Sequence, residues 1–141
     1  MTEIKKKPKT SVVLCAIGSA LLLIMALFHG SGFVYVSEAI KNSNAEEFLK
    51  EIVPVLFAHP SIHLISLTTF GILTIFLNYD YKKVSITLSS IIIIDAVLAF
   101  YLGGIIPGIL LTIAATCFIL VSLDLIKKKE NVSKKDFPFP N

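Results

Sequence analysis

Residues 11–36, SVVLCAIGSALLLIMALFHGSGFVYV, decide the fold. The run holds no Asp, Glu, Lys or Arg, and as a helix it exceeds the roughly 20 apolar residues needed to cross a bilayer core about 30 Å thick. Lys5, Lys6, Lys7 and Lys9 stand just before it. A secretion signal opens the same way, but its apolar stretch is shorter and ends at a small-residue cleavage site that does not follow here. The run is therefore expected to remain as a first membrane span.

Working outward, three further stretches reach the same length or fall a residue or two short of it: 54–77, 84–102 and 105–126. The 141 residues are 55% hydrophobic with a mean hydropathy of +0.80, well above a water-soluble domain, and leave room for one domain. The expected fold is all-α, an integral membrane four-helix bundle. Residues 1–10 and 127–141 form basic tails, and 37–53 form the loop between the first two spans.

Lysines set the orientation, because all thirteen basic residues are lysine. They fall in the N-terminal tail, at Lys82 and Lys83, or between Lys127 and Lys135, with only Lys41 and Lys50 in the 37–53 loop beside Glu38, Glu46, Glu47 and Glu51. The positive-inside rule then puts both termini in the cytoplasm and the acidic loop outside, in a multi-pass protein of the cell membrane. Lysine clusters also suit nucleic acid or anionic lipid, but their position flanking the spans assigns them to topology, and no nucleic-acid partner is expected. Asp80 and Asp124, next to lysines at the inner ends, read as members of interfacial ion pairs.

Local signals fill in the connections. Asn44 followed by Glu47 has capping-box spacing, and Phe48, Leu49, Ile52 and Val53 recur at helical spacing against charged neighbours. A short amphipathic helix is expected there, at the outer interface between spans one and two. Pro60 either kinks a second span that begins near Pro54, by freeing a carbonyl one turn earlier, or opens that span at its first turn. An inner turn at 78–83 and an outer turn at Gly103-Gly104 with Pro107-Gly108 are short enough to make spans two, three and four neighbours in order. The tail ends in Phe137-Pro138-Phe139-Pro140, which cannot be helical. Cys15 and Cys117 are too few for a disulfide framework and form no C-x-x-C pair, so they read as small packing residues and exclude dithiol chemistry.

Ionisable residues in hydrocarbon are costly, which makes His29, His59, His63 and Asp95 the functional candidates. Counted from the outer end of each span, His29, His59 and Asp95 lie roughly 8 to 10 Å deep at 1.5 Å per residue, with His63 one turn further along and Thr112 arriving at the same level. On the second span His59, His63, Ser66 and Thr74 share a face, and on the fourth Gly108, Thr112 and Thr116 form a small, polar stripe. Gly30, Ser31 and Gly32 beside His29 permit close helix approach.

A polar pocket opening outward is the expectation. Three imidazoles and a carboxylate are a competent shell for zinc, copper or iron, with His29, His59, His63 and Asp95 as metal ligands. A haem b held by His29 and His63 needs only two ligands. Without a cofactor, Asp95 and a histidine sharing a proton suit transport or acid–base work. Against all three stands an accessory subunit, packed on other membrane subunits or on copies of itself, in which these residues only satisfy local hydrogen bonds. Whether the chain is an enzyme is left open by its sequence.

Overall fold

The computed structural model describes residues 7–123. The lysines on either side of this stretch, Asp124 and the Phe137–Pro140 segment lie outside the described residues. Every regular element is helical: α1 Lys9–Ser31, α2 Phe33–Lys41, α3 Glu47–Phe76, α4 Tyr81–Leu98 and α5 Ile105–Leu123, with a π-helical turn over Ala99–Gly103 closing α4. Four helical runs, Lys9–Lys41, Glu47–Phe76, Tyr81–Gly103 and Ile105–Leu123, are long and apolar enough to cross a membrane. Large apolar side chains such as Leu27, Phe28, Phe70, Ile94 and Val97 face outward, as lipid requires and water would not.

The first run ends later than residue 36. Gly32 makes only a slight step, its N–H donating to the His29 carbonyl at 3.2 Å, and α2 continues to Lys41. The amphipathic segment after it is not a separate helix. It forms the first turns of α3, which passes through both Pro54 and Pro60 for 30 residues. Each proline leaves the carbonyl one turn earlier without its donor, a defect that a membrane helix packed against neighbours tolerates.

The expected capping box is also absent. Glu46 precedes α3 with no side-chain cap, and Ser43 organises the turn instead. Its hydroxyl donates to the Ile40 carbonyl at 2.7 Å and accepts from the Ala45 N–H at 3.2 Å.

Helix order around the bundle is α3, α1, α5, α4, and the α3–α4 seam that completes the ring is the loosest. Spans two, three and four are thus neighbours in order, as their short connections imply, but the contact between two and three is the slightest of the ring. Phe118 on α5, fully buried, explains the order. A Cβ on Gly18 would lie 2.8 Å from its ring and one on Gly71 would lie 2.9 Å away, so the ring is wedged between α1 and α3 where only glycine gives room. The Ser19 hydroxyl presses on Gly71 from the α1 side. These contacts fasten α3 to α1 and α5 rather than to α4.

Two further placements follow from hydroxyl chemistry. Thr112 and Thr116 face outward, each donating to the carbonyl four residues back at 2.8 Å, and Ser66 does the same toward Ile62. A hydroxyl satisfied by its own helix carries no unpaired donor into lipid, so the polar stripe expected inside the bundle is not there. Gly108 is buried, under the Phe100 ring. At the opposite end the Lys7 ammonium donates to the Thr74 carbonyl, one of the unpaired carbonyls ending α3, and sits 4.8 Å from the centre of the Tyr81 ring. Burial pushes its pKa below the ordinary lysine value.

Candidate functional site

The bundle opens a cavity of about 560 Å³ at the end where the chain turns through Gly104. All four helical runs contribute to its wall. The first brings His29, the second Phe57, His59 and His63, the third Asp95 and Leu98, and the fourth Leu111. Gly104 adopts φ +95°, a left-handed conformation that costs glycine little and reverses the chain directly above the site. The π turn before it adds an extra residue per turn and directs Leu102 and Gly103 to the rim.

Within this cavity His63 and Asp95 meet. Nε2 of His63 lies 3.1 Å from Oδ2 of Asp95, joining α3 to α4 across their loose seam. The side chains are 38% and 21% exposed, so the pair stands at the wall of the bundle rather than sealed within it. A carboxylate in surroundings as apolar as Ile92, Leu98 and Leu111 requires such a partner. The imidazole supplies either a hydrogen bond or a compensating charge. One imidazole nitrogen and one carboxylate oxygen make the contact, which leaves the other nitrogen and the other oxygen as the atoms through which the pair can meet a ligand.

His29 reaches the same cavity but is held differently. Its Nδ1 lies 3.0 Å from the Ser61 hydroxyl, and its ring stacks on Phe57 with centroids 4.6 Å apart and planes 23° from parallel. His59 is exposed at the rim; its ring is nearly parallel to that of His63 with centroids 6.5 Å apart, close to the rise of one helical turn.

The four residues singled out in the sequence thus line one cavity, yet only His63 and Asp95 touch. Among the described residues no group of three or more His, Cys, Asp or Glu side chains is arranged to hold a metal ion. Thr112 lies outside the site, and its neighbour Leu111 takes the place expected of it. Sequence reasoning passed over Phe57 and Ser61, which fix His29. Their spacing of four residues, on the span that carries two histidines, was the available signal.

No protein-family model, no curated protein and no solved structure matches this chain.

Proposed function

We propose that this chain is a small-molecule-binding membrane protein. Its site is the cavity at the Gly104 end, and its reactive group is the His63–Asp95 pair. The contact at 3.1 Å carries the reading, because a polar pair spanning two helices at the wall of a largely apolar cavity combines binding volume with a group able to give and take a proton. The volume falls within the range of roughly 300–1,000 Å³ usual for ligand pockets.

His29 is engaged by Ser61 and Phe57 and no third side chain joins His63 and Asp95 among the described residues, so the reading rests on hydrogen bonding and proton exchange. The distribution of lysines supports an orientation with both termini cytoplasmic, which sets the cavity in the outer half of the membrane.

The test is the small-molecule content of the purified protein. Wild type extracted in mild detergent should retain lipid-soluble compounds, detected by mass spectrometry, that are depleted in Leu111→Trp, whose indole fills the rear of the cavity. Equal content in the two proteins, both folded, counts against the proposal.

A further inference from the structure

We propose that the cavity takes an uncharged, lipid-dissolved molecule with one hydrogen-bonding head, admitted from the bilayer between α3 and α4. This inference rests on the ligand-binding reading above and adds the chemistry and route of the ligand. Three observations carry it.

The first is the direction of the opening. The reactive pair sits on the loosest seam of the bundle, with 38% of the His63 and 21% of the Asp95 side chain exposed. Further along the bundle the interior is packed, with Leu22 on α1 and Ile92 on α4 fully buried. The exposed face of the pair on that seam gives a molecule a sideways route from outside the bundle.

The second is depth. Asp95 precedes the end of the third helical run at Gly103 by eight residues, about 12 Å at 1.5 Å per residue. An opening at that depth gives onto acyl chains rather than bulk water.

The third is charge. Among the described residues no lysine lines the cavity, and the ionisable groups in its wall are three imidazoles and the carboxylate of Asp95. An anionic head would face that carboxylate with no fixed cation to offset it, and an ammonium head would have to carry its own charge out of water into a wall already partnered by His63. An alcohol, phenol or carbonyl head can donate to Asp95 or accept from a histidine without bringing an uncompensated charge into hydrocarbon. Its apolar body then lies against Leu64, Leu98 and Leu111.

Photolabelling of the full chain in lipid nanodiscs tests this. The probes are hexadecanol, hexadecanoic acid and hexadecylamine, each carrying a diazirine close to its head, with labelled sites mapped by mass spectrometry. The alcohol should label residues 57–64 and 98–103, and excess unlabelled hexadecanol should compete. Labelling should fall about fivefold in Asp95→Leu, the usual worth of one hydrogen bond, and further in Ala99→Phe. Leu98→Phe narrows the same wall from a more exposed position and substitutes if Ala99→Phe does not fold. Equal or stronger labelling of these stretches by the acid or the amine overturns the ligand class and leaves the binding reading intact. Absence of labelling there by all three probes, with bound content unaltered by Leu111→Trp, overturns both. Cross-linking of the seam to a helix of a copurified protein, in place of the probes, also overturns the proposal by making the cavity a protein contact.

Discussion

Removing the contact between His63 and Asp95 should cost stability in a way that single substitutions disguise and a double-mutant cycle exposes. The pair joins the two adjacent helices of the ring that otherwise touch least, and its atoms are 3.1 Å apart. Interhelical polar contacts in membranes average about 0.6 kcal/mol and reach about 1.7. Contacts involving an ionised group are roughly twice as strong as neutral ones, while exposure of 38% and 21% weakens this one. Together these give a coupling of about 1 kcal/mol.

His63→Ala leaves the carboxylate unpaired and should cost about 1–3 kcal/mol. Asp95→Asn keeps the shape and one hydrogen-bonding atom and should cost less. The assay is reversible unfolding in mixed micelles for wild type, both single variants and the double variant. A coupling within about 0.3 kcal/mol of zero, the scatter expected of independent sites, together with a gain in stability for Asp95→Asn, would refute the pairing and return Asp95 to the status of an isolated buried acid.

Two further predictions concern the bundle itself. Gly71→Ala drives a Cβ into the Ser19 hydroxyl oxygen and puts it 2.9 Å from the Phe118 ring; the same micelle assay should show a loss of about 1–3 kcal/mol. Ser19→Ala should restore part of that loss, because the Ser19 hydroxyl has no hydrogen-bond partner among the described residues, and no restoration would show that Phe118 alone sets the cost. Orientation is checked by a membrane-impermeant thiol reagent applied to intact cells, since Cys15 and Cys117 are buried. Asn44→Cys should react and Lys128→Cys should not, and the opposite pattern inverts the topology.

The parts of this structure that could be read from the sequence are those that depend on distance along a helix. Counting 1.5 Å per residue from the span ends put His29, His59 and Asp95 at one depth, with His63 a turn away, and the four line one cavity. Rise per residue is independent of packing. Position around the bundle is not. Thr112 looked interior because it is polar, but its hydroxyl bonds to the Gly108 carbonyl and is at ease in lipid, while Leu111 turns inward. The neighbour relations of the helices depended on one ring, Phe118, fitting against Gly18 and Gly71, a three-body match that no local pattern announces. Asn44 and Glu47 had the spacing of a cap, but Ser43 closed the turn one residue earlier. Pro54 and Pro60 left the choice between a kinked span and a later start open, because proline removes a helix donor without saying whether neighbours compensate, and α3 runs through both.

Ligand binding and proton exchange in the cavity both require His63 and Asp95 to be in contact within the membrane. Solid-state NMR of the protein in lipid bilayers, with ¹⁵N in the histidine rings and ¹³C in the aspartate carboxyls, measures that contact as a dipolar coupling between the two side chains. A short-range coupling assigned to His63 Nε2 and the Asp95 carboxyl carbon, lost in Asp95→Asn and unchanged in His29→Phe, is the predicted result. A His63 ring with no coupling to Asp95, in protein shown to be folded, would contradict it.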